Sequence, residues 1–301
     1  MCRHLAYLGW PVTLRSVIID PPHGLYRQAW APRLQQYGEV NADGFGVGWY
    51  AAGEPEPARY RRSGPIWADE SFADIARVTR TGALLAVVRS ATPGTDLGPA
   101  AVAPFGSGRW LFSHNGRVDG WPESVAGLAA TLPPTSLLGL EARVDSALLW
   151  ALVLHRLSLR MTPAEALTDT LGALGAARVT GRFNLLLTDG HVIAATAAGD
   201  TLYYRQGGGQ PGVTVASEPG DDEPGWIEVP GGSIITATPR QVSVMRLPIL
   251  NPGIPDGTTT QDTRDIRDTG NAPGTGNAPG TGNAPETPEV AETSDGRIAI
   301  H

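Results

Sequence analysis

Residues 1–9 read Met1-Cys2-Arg3-His4-Leu5-Ala6-Tyr7-Leu8-Gly9, and Cys2 is the only cysteine of the 301-residue chain. A small side chain follows the initiator, so we expect methionine aminopeptidase to remove Met1 and leave Cys2 as the mature N-terminus. Cys2 then carries a thiol and a free α-amine, with reference pKa values of about 8.5 and about 7.7–8.0. The amine can take the thiol proton, which makes Cys2 a candidate nucleophile for acyl transfer. An N-terminal cysteine can also arise by chance, so the rest of the sequence has to decide.

The composition indicates a globular domain followed by a tail. Hydrophobic residues make up 41% of the chain, which is enough for a sizeable core. After residue 250, Pro, Gly, Thr, Asn and Asp dominate, and the hexapeptide Thr-Gly-Asn-Ala-Pro-Gly that starts at Thr269 recurs at Thr275. We therefore predict one domain over residues 2–250 and a disordered tail over residues 251–301.

Composition and charge also exclude several classes of function. A single cysteine excludes an intramolecular disulfide and fits a reducing compartment. The first segment lacks the features of a secretory signal, and no stretch approaches the roughly 20 apolar residues of a membrane span. A net charge of −7 without a Lys/Arg run argues against a nucleic-acid partner. We expect a cytoplasmic protein that acts on a small molecule, with no membrane or nucleic-acid partner; the oligomeric state stays open.

Apolar patterning predicts many strands and two long helices. The predicted strands cover residues 40–50, 83–88, 110–113, 182–188, 191–197, 201–205, 213–217, 233–238 and 241–247. Apolar residues at helical spacing predict a helix from Asp145 to Leu157. The segment Thr162-Pro163-Ala164-Glu165 combines an N-cap Thr, a first-turn Pro and a capping-box Glu, so it predicts the start of another helix. Helices flanked by two strand groups suggest stacked sheets with helices outside.

Two positions offer groups that suit a charged small substrate. Arg89 ends an apolar strand, where its guanidinium can bind a carboxylate through two parallel hydrogen bonds, and Thr92 can add a third. A surface arginine at a strand end is the alternative interpretation. Asp145 could accept a hydrogen bond from a substrate ammonium, or it could serve as the N-cap of its helix.

Two further segments contain glycines beside polar residues. In His114-Asn115-Gly116, the Asn115 amide and the Gly116 N–H are suitable donors to an oxyanion, although an ordinary Asn-Gly hairpin turn is equally plausible. The segment Asn41-Ala42-Asp43-Gly44-Phe45-Gly46-Val47-Gly48-Trp49 lacks the spacing of a dinucleotide fingerprint. We expect its glycines to allow close packing and to hold a loop beside the site.

Other catalytic classes are poorly supported. The six histidines form no HxH or HExxH arrangement and Cys2 has no partner cysteine, so we expect no metal site. A G-x-S-x-G elbow is also missing, which argues against a serine hydrolase.

Together, the motifs resemble a class II glutamine amidotransferase domain of the N-terminal nucleophile hydrolase superfamily, in order and spacing across the predicted domain. The resemblance implies an α+β fold, a four-layer α/β/β/α sandwich of two stacked antiparallel sheets. It implies that Cys2 is the nucleophile, with its own amine as base, and that no metal or organic cofactor is needed. The implied oxyanion hole is Asn115 and Gly116, and the implied substrate-binding residues are Arg89 and Thr92 for the α-carboxylate and Asp145 for the α-amine.

The chain departs from the family pattern at two places. Val87 stands where the family often has a histidine, and the acidic residue often found shortly after the substrate-binding aspartate is missing after Asp145. Both departures concern substrate positioning. Ser217-Glu218-Pro219 resembles a late strand-end motif of the family, whose role stays open.

The function depends on what the domain does with its substrate. No synthase domain follows in this sequence, so we expect either a partner in trans or a γ-glutamyl amide other than glutamine. Residues 1–9, 20–25 and 41–44 resemble more narrowly the γ-glutamyl hydrolases of actinobacterial ergothioneine biosynthesis. This resemblance implies hydrolysis of γ-glutamyl-hercynylcysteine sulfoxide through a Cys2 glutamyl-thioester. A glutaminase subunit that delivers ammonia and a domain that only binds glutamyl ligands are the alternatives.

The leaving half of that substrate carries a trimethylammonium and a carboxylate. Such a group favours an aromatic face and a basic side chain on its side of the cleft. Arg117 follows the predicted oxyanion hole directly, and either Trp30 or Trp121 could supply the aromatic face.

Overall fold

Two antiparallel sheets form the centre of the protein. The computed structural model describes residues 2–36, 38, 40–92, 94–207 and 209–248. The predicted tail, residues 251–301, and the last two residues of the predicted domain lie outside the described residues, so the division between domain and tail stays a prediction.

The strands of the described residues, in chain order, are β1 Arg3–Thr13, β2 Phe45–Trp49, β3 Ala58–Arg62, β4 Arg80–Val88, β5 Phe105–Ser107, β6 Trp110–Val118, β7 Gly181–Thr188, β8 Ile193–Ala197, β9 Tyr203–Gln206, β10 Gly212–Ala216, β11 Ile227–Glu228, β12 Ser233–Ala237 and β13 Val242–Arg246. The first sheet has the order β11-β9-β10-β1-β4-β2-β3, and the second has the order β13-β12-β8-β7-β6-β5. Each paired set of strands runs antiparallel.

Helices cover the outer face of each sheet. The α-helices of the described residues are α1 Leu14–Ile18, α2 Leu25–Gln28, α3 Glu70–Val78, α4 Ala126–Ala129, α5 Pro134–Leu138, α6 Asp145–Ser158 and α7 Pro163–Ala176, and short 3-10 turns lie at Ile66–Ala68, Pro99–Ala101 and Glu123–Val125. Apolar side chains of α1, α2 and α3 pack on the first sheet, while those of α6 and α7 pack on the second. None of the helices in the described ranges is long and apolar enough to cross a membrane. The predicted α/β/β/α sandwich is confirmed.

The two long helices begin close to where the sequence predicts. The first runs from Asp145 to Ser158, one residue beyond the prediction. At the start of α7 the Thr162 hydroxyl accepts the Glu165 backbone N–H, and the Glu165 carboxylate accepts the Thr162 N–H. This reciprocal pair satisfies two N–H groups that a helix start leaves without partners, so the predicted capping box is confirmed.

Alternation along β1 decides which side chains enter the space between the sheets. Leu5 packs in the outer core under the helices of the first sheet, whereas Ala6 and Leu8 belong to the core between the sheets. Successive side chains of a strand point to opposite faces, so Cys2 and His4 share the inner face with Ala6. The start of β1 therefore directs the only cysteine toward the second sheet.

The sequence did not predict β1, β3, β5 and β11, and two predicted strands have clearly different bounds. The strand predicted over 110–113 continues to Val118, and Asn115 and Gly116 pair within it with Asn184 and Phe183 of β7. The hairpin turn considered for this Asn-Gly pair is therefore wrong. Gly116 has φ +155°, and a Cβ there would lie 2.0 Å from the Arg182 carbonyl oxygen, so the glycine is needed where two strands approach closely. The strand predicted over 40–50 is also shorter, because β2 covers only Phe45–Trp49.

Gly46 lets a loop press against β2. A Cβ on Gly46 would lie 2.1 Å from the carbonyl oxygen of Ala103. Main-chain atoms have no rotamer through which they could withdraw, so this contact requires glycine. The close packing expected of the 41–49 segment is thus confirmed at this position.

We expect Gly46→Ala to lower the free energy of unfolding by about 3 kcal/mol, the upper range for overpacking, because the added methyl meets main-chain atoms. Urea denaturation of the variant measures this loss. Gly64→Ala is the matched control, since its Cβ would meet nothing within 4 Å. Equal stability of the two variants would contradict the close approach.

Candidate active site

Pairing of β1 with β4 brings Cys2 beside Arg89. Arg3 is the register partner of Val88, so the residue before Arg3 lies next to the residues that follow Val88. The Cys2 Sγ lies 4.0 Å from the Ser90 carbonyl oxygen, and the side chain is partly buried against the core between the sheets. The first two sequence-predicted site residues therefore meet at one end of two central strands of the first sheet.

Charges from two directions act on the thiol. Burial raises the pKa of the Cys2 thiol, and the Asp145 carboxylate acts in the same direction, while the Arg89 guanidinium opposes both. Arg89 follows β4 and Asp145 begins α6, so elements of both halves of the sandwich contribute to the environment of one sulfur. Within the described residues, no side-chain base makes a hydrogen bond to this sulfur.

Arg89 is buried and only partly engaged. Its Nη2 donates to the Asp96 carbonyl oxygen at 2.8 Å and lies 3.4 Å from the Thr95 hydroxyl. Its Nη1 is buried and has no hydrogen-bond partner among the described residues. A buried donor without a partner is costly, which suits a site where a ligand carboxylate provides the missing acceptor. Nη2 already bonds to the loop at Thr95 and Asp96. Fewer N–H groups of Arg89 therefore remain for the two parallel hydrogen bonds expected to a substrate carboxylate.

The segment before β2 holds the Arg89 strand end in place. The Asp43 carboxylate accepts the Ala91 N–H at 2.8 Å, and the Asp43 N–H donates to the Arg89 carbonyl oxygen at 2.9 Å. Asn41 is fully buried and donates to the Gln28 carbonyl oxygen at 3.0 Å. The expectation that this segment supports a loop beside the site is confirmed.

Asn115 reaches across from the second sheet. Its side chain is fully buried, with Nδ2 3.4 Å from the Ser217 hydroxyl and Oδ1 without a hydrogen-bond partner in the described part of the chain. Gly116 follows it in β6. The expected oxyanion pair thus lies at the sheet interface, and the Asn115 contact leads back to the first sheet through Ser217.

Asp145 ties the start of α6 to the end of β6. One carboxylate oxygen accepts the Val118 N–H at 2.9 Å, and the other accepts the Ser146 N–H at 2.7 Å. The N-cap position belongs to Val144, so the alternative interpretation of Asp145 as the cap residue is wrong. Carboxylate oxygens have several lone-pair sites, so both retain capacity for a further donor.

A cleft of about 740 Å³ lies beside these groups. Its lining includes Thr92 and Arg117, which the sequence predicts as substrate contacts, and Trp121, one of the two aromatic candidates. Arg117 is exposed and forms an ion pair of 2.8 Å with Asp119. Trp30, the other aromatic candidate, lies elsewhere: it packs edge-on against Tyr26 and Trp67 in the outer core.

Sequence reasoning missed a buried polar connection between the sheets. The Ser217 hydroxyl accepts the His4 backbone N–H at 3.0 Å, and the His4 Nδ1 lies 2.7 Å from the Ser113 hydroxyl of β6. Burial lowers the pKa of His4 to about 3, with further lowering by the nearby His114 and Arg3 charges. The ring is therefore neutral at physiological pH. The one available sequence signal was the spacing of two residues between Cys2 and His4, which places both side chains on the same face of a strand.

Arg3 was also missed, and Glu218 was named only within a family motif whose role stayed open. The buried Glu218 carboxylate accepts the backbone N–H groups of Arg33 at 3.1 Å and Leu34 at 2.6 Å, so it anchors the loop after α2. Arg3 is fully buried, and its three guanidinium nitrogens have no hydrogen-bond partner among the described residues. Burial lowers its pKa, whereas the Glu218 and Asp200 carboxylates act in the opposite direction.

Comparisons with known proteins agree on one family. The family model of class II glutamine amidotransferases matches residues 26–207. The chain is 40% identical over 248 residues to the γ-glutamyl-hercynylcysteine sulfoxide hydrolase of Mycolicibacterium smegmatis, covering 82% of this chain and 100% of that protein. The same identity holds for the Mycobacterium tuberculosis hydrolase, with 82% and 97% covered. A glutamine aminotransferase class-II domain protein of Silicibacter pomeroyi matches in structure, with a TM-score of 0.61, 26% identity, and 82% and 100% covered.

The buried neutral His4 predicts a pH dependence of folding. In the unfolded chain a histidine has a pKa of about 6.5, so between pH 6.5 and 3 the unfolded state binds one more proton. Stability should therefore fall as the pH falls through this window, by up to about 1.4 kcal/mol per pH unit from His4. Urea unfolding at several pH values should show a flatter dependence for His4→Asn.

His191→Asn is the control, because His191 is exposed. It should keep the slope of the unchanged protein. If His4→Asn keeps that slope as well, His4 does not titrate as its burial requires.

Proposed function

Because the chain belongs to the class II glutamine amidotransferases, we propose that it hydrolyses the γ-glutamyl amide of γ-glutamyl-hercynylcysteine sulfoxide to glutamate and hercynylcysteine sulfoxide, in ergothioneine biosynthesis. The 40% identity over the whole length of the mycobacterial hydrolase supports this substrate. The observation that carries the chemistry is the partly buried Cys2 thiol. The Arg89 guanidinium acts to lower its pKa, and the Asp145 carboxylate acts to raise it. A cytoplasmic location, where thiols stay reduced, suits this nucleophile.

The thiol needs a base. Burial raises the pKa of Cys2, so the thiol stays protonated at neutral pH. Removal of Met1 would expose an α-amine on the same residue, with a reference pKa of about 7.7–8.0. That amine is the base, since the hydrogen bonds of the described residues offer the sulfur no other one. Nucleophile and base then belong to one residue, which directly precedes β1.

The reaction has two halves. The Cys2 sulfur bonds to the γ-carbonyl carbon while its proton passes to the α-amine, and the oxyanion receives hydrogen bonds from Asn115 and Gly116. The carbon–nitrogen bond then breaks as the ammonium protonates the leaving amine. Water, deprotonated by the same amine, hydrolyses the glutamyl thioester and releases glutamate. Only water is consumed, so this chemistry requires neither a metal nor a redox cofactor.

The glutamyl half binds through its charged ends. The free Nη1 of Arg89 donates to the α-carboxylate, and the Thr92 hydroxyl adds a bond from the adjacent cleft. Asp145 accepts from the α-ammonium with the capacity that Val118 and Ser146 leave open. Arg89 and Asp145 thus bind the two charged groups of the glutamyl end at separate points. This fixes the orientation of the γ-carbonyl relative to the Cys2 sulfur.

The leaving half occupies the outer part of the cleft. Arg117 pairs with its carboxylate, and the face of Trp121 receives its trimethylammonium. Asp119, which binds Arg117, keeps the guanidinium directed along the wall. These contacts distinguish the long substrate from glutamine, whose leaving group is ammonia.

The test of the function is glutamate release by the Met1-processed protein from the sulfoxide substrate and from glutamine, measured in parallel. We expect rapid release from the sulfoxide, slow release from glutamine, and no release by Cys2→Ala. A preference for glutamine would favour an ammonia-delivering subunit, and release that persists in Cys2→Ala would remove Cys2 as the nucleophile.

Removing the proposed leaving-group contact should change specificity selectively. We expect Arg117→Ala to raise KM for the sulfoxide substrate about tenfold, the equivalent of about 1.4 kcal/mol, with glutamine kinetics unchanged. Steady-state kinetics on both substrates measure the effect. A parallel loss on both substrates would place Arg117 outside the leaving-group contact.

A further inference from the structure

The Asn115 carboxamide has one weak contact and one buried atom without a partner. Nδ2 faces the Ser217 hydroxyl at 3.4 Å, and Oδ1 is fully buried with no hydrogen bond from any described residue. A buried acceptor left unsatisfied costs about 1–3 kcal/mol. In this orientation one N–H donor of the amide is directed at Ser217, where it cannot serve an oxyanion.

A half turn about the Cβ–Cγ bond resolves both problems. The amide oxygen and nitrogen exchange places with almost no change in shape, because they differ in little but their hydrogens. Oδ1 then lies beside the Ser217 hydroxyl, and Nδ2 takes the buried position where no described residue donates to the amide oxygen. An oxyanion hole requires such a donor, directed away from Ser217 and toward the reacting group.

Ser217 can enforce this orientation because its other hydrogen bonds are already fixed. Its Oγ accepts the His4 N–H at 3.0 Å, so the hydroxyl proton remains to be donated. The competing acceptor is the His4 carbonyl oxygen at 3.3 Å, which already receives the Ser217 N–H at 2.9 Å. Oδ1, with no donor at all, gains more from the hydroxyl proton than the His4 oxygen does.

We propose that Ser217 is a positioning residue for the hydrolysis: its hydroxyl donates to Oδ1 of Asn115 and holds Nδ2 toward the reacting carbonyl. The proposal rests on the function proposed above and assigns a role to the Ser217-Glu218-Pro219 motif. Ser217 bonds to His4, two residues from Cys2, and thereby ties the strand that carries the nucleophile to the oxyanion donor. The long 3.4 Å contact should shorten once substrate seats, as catalytic hydrogen bonds often do.

A double-mutant cycle tests this role. Asn115→Ala should lower kcat about 10²–10³-fold, the effect of losing one oxyanion donor. Ser217→Ala should lower kcat at least about tenfold with KM nearly unchanged, because it loosens the same donor without touching substrate. In the Asn115→Ala background, Ser217→Ala should cost less than about twofold, because its effect passes through Asn115.

Ser113→Ala is the matched control, since Ser113 is also fully buried and bonded to His4 but does not contact Asn115. It should lower stability and change kcat by less than about threefold. Equal losses of kcat from Ser217→Ala in both backgrounds would mean a general structural role and would overturn the proposal.

Neutron diffraction from deuterated crystals of the unchanged protein separates this proposal from the proposed function. A deuterium bound to the Ser217 oxygen and directed at Oδ1 of Asn115, with the amide ND₂ pointing away from Ser217, supports the positioning role, whatever substrate the enzyme prefers. Deuterium on the line to the His4 carbonyl oxygen, with the amide ND₂ facing Ser217, would overturn it. Failure of the unchanged protein to release glutamate would instead contradict the function.

Discussion

The pairing of β1 with β4 is the constraint on which the site depends. The register that sets Arg3 opposite Val88 places Cys2 beside Arg89 and Ser90, before any side-chain contact is considered. β1 also pairs with β10 on its other side, which brings Ser217 next to His4. Main-chain hydrogen bonds thus place Cys2, the proposed nucleophile, between Arg89 and Ser217, which contacts the proposed oxyanion donor Asn115.

Around this frame the protein keeps several polar groups buried and incompletely satisfied. Nη1 of Arg89 and Oδ1 of Asn115 have no hydrogen-bond partner in the described part of the chain, and burial raises the pKa of the Cys2 thiol and lowers that of His4. Such groups weaken a fold unless something else completes them. In our proposals a substrate carboxylate completes Arg89, whereas at Asn115 the Ser217 hydroxyl completes Oδ1 and leaves Nδ2 for the substrate oxyanion. Gly46 and Gly116 pack closely against main-chain oxygens, and this close packing keeps the strands around the site rigid.

The sequence predicted the layered fold and most strands correctly, because alternating apolar residues and a capping box are local signals. The strand through Asn115 and Gly116 was cut short, since an Asn-Gly pair predicts a hairpin equally well when its partner strand is unknown. The contacts of Ser217 with His4 and Asn115 join residues more than a hundred positions apart. No local pattern encodes such contacts, and only a family resemblance pointed to the motif that makes them. Arg89 was found, but its engagement by Asp96 depends on a loop conformation that sequence does not reveal.

The central claim is that Cys2 is a mature N-terminal nucleophile that carries the glutamyl group as a thioester. The most direct measurement is rapid-quench mass spectrometry of the N-terminal peptide after mixing enzyme with the γ-glutamyl sulfoxide substrate. The account predicts a peptide that begins at Cys2 and gains one glutamyl group, which disappears as glutamate accumulates. A peptide that retains Met1 in active enzyme, or glutamate release without any adduct on Cys2, would contradict it.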